Sequence, residues 1–392
     1  MSQPEFKKRT PAGVKPVMRK GPGTVPGPTG VARPVVRDRL SWHQYVAEPE
    51  RYGKMAFRSC GRSGLKLPAI SLGTWETFGG YVGPELARGC IFRAFNLGIT
   101  HFDLANTNGS PAGRSEVLVG RAIREMPREE IEVSTKAGLP MWPGPYGQGG
   151  SRKALLTSVE QSLKRLGLEH VDIFYSHRPD PDTPLDETMR ALDQIVRQGK
   201  ALYVGFSNYS GAQLGEAMQL ARQLNLTQIV ATQARYNLMW REAERTVIGA
   251  ARDNGVGVVA YSALGRGLLN ARQAAGTPDA SRLTRTWSQP QRDAITPAVR
   301  QKIQQLSEVA KTRGQTLPQM AIAWTLRWPE VTTALIGASE IEQVEENVKA
   351  LENLAFSPEE LQRIDAILSG APTLTPPQAA STLGAPKAAS SV

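Results

Sequence analysis

The stretch HFDLANTNGSPAGRSE, residues 101–116, shows the pattern that decides the fold. It starts as an apolar run that ends on Asp103, passes through a polar loop of Asn, Gly and Ser, and then enters a segment with helical character. A strand, a loop and a helix in this order form the repeating unit of a parallel sheet. In a parallel barrel, the loop after a strand offers catalytic groups to a substrate. The stretch therefore predicts both a fold and a site.

The same pattern recurs along the chain, because short β-branched runs alternate with helical stretches. This alternation is typical of βα units rather than of an antiparallel sheet. We predict eight strands, at residues 69–74, 99–104, 131–136, 171–177, 201–207, 227–233, 256–262 and 331–337.

The segments between the predicted strands carry helix signals. Residues 151–167 place a row of apolar side chains on one face, with Ser151 as the expected N-cap and Gly167 as the expected stop. A hairpin with its turn at Gly61–Gly64 precedes the first barrel strand, and an additional helix over 358–368 follows the last unit. Eight strands with crossover helices predict an α/β fold, a (β/α)8 TIM barrel with an N-terminal β-hairpin and an extra C-terminal helix.

Composition divides the chain into three regions. Residues 1–50 form a basic arm rich in Pro and Gly, which we predict to be disordered because it has little to bury. Residues 51–369 form the barrel, with a long insert expected after the seventh strand at roughly 265–294. Residues 370–392 read as a low-complexity C-terminal tail, also predicted to be disordered.

The net charge of +11 is unevenly distributed. Residues 1–40 contain nine Lys and Arg against Glu5 and Asp38, so this short segment holds +7 of the total. Aromatic residues make up 6% of the chain, and no motif interleaves them with basic residues. We therefore predict no specific nucleic-acid binding by the barrel and a solvated basic arm.

Cysteine usage and hydropathy bear on the compartment. Cys60 and Cys90 show no metal or redox spacing, which favours a reducing environment. No apolar run reaches the roughly 18 residues needed to cross a bilayer, and the N-terminus lacks the apolar region of a secretory signal. We predict a cytoplasmic protein without a membrane segment.

Three ionisable residues lie at the ends of consecutive predicted strands. Asp103, Lys136 and His177 close the second, third and fourth strands of the barrel. Because neighbouring strands lie about 4.8 Å apart, we expect the three side chains within hydrogen-bonding reach. Asp103 would keep Lys136 charged, and His177 would donate a hydrogen bond to a developing oxyanion. Together they predict a catalytic site.

The remaining histidines do not suggest a metal centre. His43, His101 and His170 have no companion at the spacing of metal ligands. We therefore predict structural roles for them and no bound metal.

Several separated motifs resemble one known family. GITHFDLAN, VSTKAG, MWPGPYGQGGSRK, VDIFYSHR, ALYVGFSNYS and IGAS followed by QVEEN recur in order over about residues 52–368. They resemble the aldo-keto reductase superfamily, in particular the branch of L-glyceraldehyde 3-phosphate reductases and voltage-gated potassium channel beta subunits. The resemblance implies a (β/α)8 barrel, NADPH bound across the strand tips, and hydride transfer to a small aldehyde or ketone. Relatives often assemble, so the expected partners are a small carbonyl substrate and further copies in a homo-oligomer.

The resemblance also implies which residues hold NADPH. Ser207, Asn208 and Gln233 would hold the carboxamide, Tyr261 would stack on the nicotinamide ring, and the remaining residues would contact the phosphates and the adenosine. The full set is Thr74, Trp75, Asp103, Ser207, Asn208, Gln233, Tyr261, Ser262, Leu264, Gly265, Gly267, Arg282, Gly337, Ser339, Gln343, Glu346 and Asn347.

The adenosine end has a rationale of its own in the sequence. Ser339 is followed by Glu340, Ile341 and Glu342, which is the pattern of a capping box before an amphipathic helix. A helix N-terminus at this place in the barrel is suited to bind a phosphate.

One departure from the family pattern concerns proton transfer. Where relatives carry a tyrosine, in a segment like DLANNYGPPPGSAE, this chain has Asn108. That tyrosine is the general acid that protonates the alkoxide, and an asparagine amide can donate a hydrogen bond without delivering a proton. General acid catalysis contributes about 10²–10⁴ in rate.

Three hypotheses follow from Asn108. The reductase could use His177, Lys136, a water molecule, Tyr81 or Tyr146 as its acid. Alternatively, the chain could be a pseudo-reductase that binds NADPH and acts as a redox-sensing or partner-binding subunit. A third hypothesis, a Schiff base on Lys136, is disfavoured because the neighbouring aspartate stabilises the ammonium.

Overall fold

Eight parallel strands close into a barrel, which confirms the predicted (β/α)8 fold. The computed structural model of the chain describes residues 45–269 and 295–369, so the arm up to residue 44, most of the predicted insert and the C-terminal tail lie outside it. The barrel strands are β3 (Ile70–Gly73), β4 (His101–Asp103), β5 (Glu132–Ala137), β6 (Val171–Ser176), β7 (Ala201–Ser207), β8 (Ile229–Arg235), β9 (Gly257–Tyr261) and β10 (Val331–Ile336).

Helices connect the barrel strands on the outside. The described helices are α1 (Pro84–Asn96), α2 (Arg114–Ile123), α3 (Arg152–Leu166), α4 (Leu185–Arg197), α5 (Gly211–Gln223), α6 (Glu242–Asn254), α7 (Pro297–Thr312), α8 (Leu317–Thr325), α9 (Ile341–Val348) and α10 (Pro358–Leu368). The predicted ends of α3 are confirmed, because the Ser151 side chain accepts a hydrogen bond from the amide of Ala154 and Gly167 ends the helix in the left-handed conformation. The additional C-terminal helix is α10. Among the described helices, none combines the length and the apolar character that a bilayer crossing requires.

The predicted hairpin covers the end of the barrel at which the strands begin. Its strands β1 (Phe57–Ser59) and β2 (Lys66–Pro68) pair antiparallel. Leu67 and Cys60 are fully buried and pack with the inward-facing Ile173 and Tyr175. Gly61 allows this close approach, because a Cβ atom there would lie 2.1 Å from the carbonyl oxygen of Gly255. The hairpin does not cover the opposite end of the barrel, where the strands end.

In the barrel interior, Gly205 leaves room for the ring of Tyr175. Gly205 on β7 faces Tyr175 on the adjacent β6. A Cβ atom on Gly205 would lie 2.4 Å from Cε1 of Tyr175 and 2.8 Å from the carbonyl oxygen of Ala231. The Tyr175 ring therefore fills the space below the strand tips, with its centroid 5.4 Å from Nζ of Lys136.

The chain is already packed on the barrel before the hairpin begins. The Tyr45 ring stacks on Phe92 of α1 with centroids 4.2 Å apart, and its hydroxyl donates to Asn96. Arg51 forms an ion pair with Glu130, just before β5. These contacts attach the start of the described chain to α1 and to the loop that leads into β5.

Two carboxylates lie close together where the barrel strands begin. Burial raises the pKa of Glu132 from its ordinary 4.5 to about 7, with a further contribution from the nearby Asp172. Thr100 donates a hydrogen bond of 2.6 Å to Glu132. Asp172 forms an ion pair with Arg128, whose Nη2 lies 2.7 Å from its Oδ2. Glu132 is thus the carboxyl group that holds a proton near neutral pH.

Replacing Glu132 with Gln should therefore raise the free energy of unfolding, compared with the natural protein, by more at pH 8 than at pH 5. The folded protein keeps the proton of Glu132 up to about pH 7, whereas the unfolded chain releases it near 4.5, so stability is lost as the pH rises through this window. The variant removes that loss, which is on the order of 2–3 kcal/mol. Urea unfolding of both proteins at pH 5 and pH 8 measures the difference. The exposed Glu129→Gln is the control, and an equal effect of Glu132→Gln at both pH values would contradict the prediction.

Candidate active site

The centre of the site is a buried ion pair between the tips of β4 and β5. Nζ of Lys136 lies 2.6 and 2.7 Å from the two carboxylate oxygens of Asp103, and 2.6 Å from the carbonyl oxygen of Leu104. Both charged side chains are less than 5% exposed. The three protons of the ammonium therefore have three acceptors within the protein.

The surroundings of the pair keep both groups ionised. Burial alone would raise the pKa of Asp103, but the Lys136 ammonium outweighs it and holds the pKa below its ordinary value. Ser134 donates a hydrogen bond of 2.6 Å to the same carboxylate, and Gln233 donates another of 3.1 Å from β8. Burial lowers the pKa of Lys136, which the carboxylate opposes. A carboxylate with this many donors remains an anion at neutral pH.

His177 follows β6 and completes the predicted catalytic group. Burial and the nearby Lys136 charge lower the pKa of its imidazole to about 3. The ring is therefore neutral at physiological pH and carries a single proton. Nδ1 is buried and has no hydrogen-bond partner in the described parts of the chain. The neutral ring can donate one hydrogen bond to an oxygen atom at the mouth of the barrel.

Asn108 lies in the loop between β4 and α2, where it is buried. Its Nδ2 donates a hydrogen bond of 3.2 Å to Oγ1 of Thr74, at the end of β3. The loop is held in place because Glu116 accepts hydrogen bonds of 2.6 Å from Thr135 and from Arg165. The side-chain amide of Asn108 is thus bonded to the tip of β3 rather than to a member of the ion pair.

The predicted carboxamide-binding residues meet next to His177. Asn208 adopts a left-handed conformation with φ of 62°, which turns its side chain back over the strand tips. Its Nδ2 donates to the carbonyl oxygen of His177 at 2.9 Å and to Oγ of Ser207 at 3.1 Å. Its Oδ1 accepts a hydrogen bond of 2.7 Å from the Tyr261 hydroxyl. Together with Gln233, these residues form one polar surface around Asp103.

The loop after β9 reaches the first strand tip across the mouth. Ser262 and Arg266 have φ of 58° and 59°, and the loop contains a short helical turn at Gly265–Gly267. The guanidinium of Arg266 lies 4.6 Å from the centroid of the Trp75 ring. Leu264, just before the turn, packs on the hydrophobic core. Arg282, further along the predicted insert, lies outside the described residues.

The predicted capping box at the start of α9 is wrong in its details. Glu340 is the residue before the helix, and no side chain caps its first turn. Instead, Oε1 of Gln343 accepts hydrogen bonds from the amide of Ser339 at 3.0 Å and from its hydroxyl at 3.4 Å. The partner is therefore four residues after the serine, because the helix starts one residue later than the capping-box spacing requires. Gly337 is exposed just before this turn, whereas Asn347 is buried on the core side.

Two side chains of the site were missed in the sequence, although a signal was present. Ser134 and His101 lie two residues before Lys136 and Asp103, so each shares a barrel-facing side with a predicted catalytic residue. The spacing of two identifies such neighbours, but it does not show that Ser134 bonds to Asp103 or that His101 bonds to Ser134. In the described ranges, no group of three His, Cys, Asp or Glu residues could hold a metal ion.

Comparisons with known proteins identify the family to which the chain is similar. A model of the family described as "Aldo/keto reductase family" matches residues 69–369. The chain is 48% identical over 328 residues to "L-glyceraldehyde 3-phosphate reductase" from Escherichia coli K12, which covers 82% of this chain and 94% of that protein. It is 39% identical over 329 residues to the "Putative voltage-gated potassium channel subunit beta" from Schizosaccharomyces pombe, which covers 81% of this chain and 94% of that protein.

Removing one member of the ion pair should strongly destabilise the fold. We expect Lys136→Met to lower the free energy of unfolding by about 3–5 kcal/mol, because it leaves the buried Asp103 carboxylate without its counter-charge. The double variant Asp103→Asn/Lys136→Met should lose clearly less than the sum of the two single variants. Urea unfolding at pH 7 of the natural protein, the two single variants and the double variant measures this coupling. Additive losses would show that the two charges do not depend on each other.

Proposed function

Because the chain belongs to the aldo/keto reductase family, we propose that it reduces small aldehydes or ketones by hydride transfer from NADPH. The observation that carries the proposal is the meeting of five side chains at one end of the barrel. Asp103, Lys136 and His177 lie beside the amides of Asn208 and Gln233. Charged and polar groups that converge at the carboxyl ends of barrel strands are the usual setting for catalysis.

The residues around the mouth fit a nicotinamide nucleotide. Asn208 and Gln233 each carry an amide, which could complement a carboxamide once its present hydrogen bonds are exchanged, and Tyr261 supplies an aromatic face nearby. NADPH, when bound, would supply the hydride. The phosphates would lie along Ser262 to Gly267 and toward Ser339 and Gln343 at the start of α9, where backbone amides and a helix N-terminus favour an anion.

The loop after β5 bears on the choice of a small carbonyl substrate. The loop after β5 contains residues 141–153, which resemble glyceraldehyde 3-phosphate reductases. It is folded back on itself by a hydrogen bond of 3.1 Å from the amide of Gly149 to the carbonyl oxygen of Gly138. Asp180 accepts a hydrogen bond of 2.7 Å from Gly150, which joins this loop to the next one. We propose glyceraldehyde 3-phosphate and methylglyoxal as the first substrates to test.

Asn108 determines how the oxyanion product can be stabilised. The amide and the neutral imidazole of His177 can both donate hydrogen bonds to it, but neither releases a proton easily. Lys136 has its three protons on Asp103 and Leu104, so it would have to break a hydrogen bond to act as the acid or to form a Schiff base. We therefore propose that the proton comes from water or from Tyr81, and that turnover is slow.

A second function, NADPH binding without turnover, is favoured by one observation, the presence of Asn108. A chain that keeps the ion pair and the amide cluster can bind NADPH without turning it over. In that case the barrel would serve as a redox-sensing or partner-binding subunit. Binding without turnover separates this proposal from the first.

Replacing Asn108 with Tyr should restore a general acid to the site. We expect kcat for methylglyoxal reduction to rise by about 10²–10⁴, since this is the usual contribution of such a group. Binding of NADPH should change little, because among the expected NADPH-binding residues the Asn108 side chain bonds to Thr74 and not to Ser207, Asn208 or Gln233. Fluorescence titration measures the binding, and loss of NADPH absorbance measures the turnover.

Asn108→Phe is the matched control, because it adds a ring of similar size without a hydroxyl. Turnover in the natural protein would support the reductase, and Tyr81→Phe would then show whether Tyr81 supplies the proton. NADPH binding with turnover only in Asn108→Tyr would support the binding subunit. Absence of NADPH binding in every form would contradict both functions.

A further inference from the structure

A continuous line of hydrogen bonds runs through the barrel interior to the ion pair. Thr333 on β10 bonds to Ser71 on β3 with their hydroxyl oxygens 2.7 Å apart. Oγ of Ser71 lies 2.9 Å from Nδ1 of His101 on β4, and Nε2 of His101 lies 2.9 Å from Oγ of Ser134 on β5. Oγ of Ser134 then lies 2.6 Å from Oδ1 of Asp103. The line crosses four adjacent strands.

Every member of this line is buried. Thr333, Ser71, His101 and Ser134 have no exposed surface, and Asp103 is 4% exposed. Buried polar groups that lack partners are costly, so each hydroxyl and each ring nitrogen must find its partner within the line. Because water does not reach these atoms, the protein itself determines which atom donates in each bond.

Because the Asp103 carboxylate is ionised, it determines which atom donates in each hydrogen bond of the line. A carboxylate only accepts hydrogen bonds, so Ser134 must donate to Asp103. The oxygen of Ser134 then accepts from Nε2 of His101, which must carry the proton of the ring. Nδ1 of His101 is left as an acceptor, so Ser71 donates to it and accepts from Thr333. All four donors point toward the carboxylate.

The surroundings of His101 favour the neutral form of its imidazole. Burial lowers the pKa of His101 to about 4, the Lys136 charge lowers it further, and Asp103 and Asp172 oppose this effect. A doubly protonated ring would donate from both nitrogens, and Ser71 would have to turn its hydroxyl away. The one-way line therefore requires the neutral imidazole.

We propose that His101 is a positioning residue of the active site. Through Ser134 it orients Asp103 so that the carboxylate holds Lys136, and the proton on Nε2 is essential for this role. The role in turnover rests on the proposed function. The line does not supply protons to the reaction, because it begins at Thr333, whose hydroxyl has Ser71 as its partner and no donor behind it among the described residues.

The alternative is that His101 only fills polar space in the core. Its loss would then lower stability without changing the direction of any bond or the chemistry at Asp103. Two measurements on the full-length chain separate the alternatives, one spectroscopic and one kinetic.

The first experiment is ¹⁵N NMR of the histidine rings between pH 5 and pH 9. The chain has four histidines, and the signal of His101 is identified by its absence in His101→Gln. We expect a neutral ring protonated on Nε2 over the whole range, and a changed Nε2 signal in Ser134→Ala. Thr332→Val is the matched control, because Thr332 neighbours Thr333 but bonds to Ser59 outside the line. A ring protonated on Nδ1, or one that titrates in this range, would overturn the proposal.

The second experiment compares His101→Leu with His101→Gln. Glutamine keeps one donor and one acceptor, whereas leucine removes both. We expect kcat for methylglyoxal reduction to fall about tenfold in the leucine variant with little change in KM, and to recover largely in the glutamine variant. The variants are made in the natural protein and in Asn108→Tyr, so that a slow natural site does not hide the effect. NADPH binding is measured alongside as a check of folding.

The outcomes distinguish the inference from the proposed function. Equal kcat in the leucine and glutamine variants, with active parent proteins, would overturn the positioning role and leave the reductase intact. Absence of turnover in both parent proteins would overturn the reductase and the kinetic role of His101 with it. In that case the NMR spectrum still decides whether the one-way line of hydrogen bonds exists.

Discussion

The buried ion pair of Asp103 and Lys136 is the constraint on which the rest of the site depends. Moving two charges out of water costs several kcal/mol per ion, and their attraction offsets this cost only when further hydrogen bonds satisfy both groups. Here Ser134 and Gln233 donate to the carboxylate, and the carbonyl oxygen of Leu104 accepts from the ammonium. These partners come from β4, β5 and β8 and from the loop after β4, so the pair fixes strand tips on two sides of the barrel.

On the proposed function, Asn108 would change the chemistry while the ion pair, to which it does not bond, keeps the fold. Asn108 bonds to Thr74 and does not contribute to the balance of charge around Asp103. An amide can therefore stand in place of an acid while the barrel keeps its hydrogen bonds. The neutral His177 and the polar surface around Asn208 are likewise independent of position 108. The proposed nicotinamide site and the proposed weak proton donor are therefore compatible within one barrel.

Much of the fold could be predicted from local patterns. The alternation of strands and helices predicts the barrel, and Ser151 and Gly167 mark the ends of α3 because helix caps depend on neighbouring residues only. The prediction at Ser339 is wrong because the helix start shifted by one residue, which a spacing rule does not resolve. The strand ends predicted that Asp103 and Lys136 would lie together, and the structure contains their ion pair. The hydrogen bond from Asn108 to Thr74 could not be foreseen, because Asn108 lies in a loop whose path the strand pattern does not determine.

By itself, the sequence determined the class of fold, the strands that carry the ionisable residues, and the presence of Asn108 in the loop after the second predicted strand. Those features depend on residue type and on a period of two or of 3.6, both of which are local. Only the tertiary structure decided that Gln233 reaches Asp103 across 130 residues, that Lys136 uses its third proton on Leu104, and that Nε2 of His101 meets the hydroxyl of Ser134. The physical reason is that a hydrogen bond requires two atoms within about 3 Å in a defined direction, and residues distant in the chain meet that condition only after the barrel has closed.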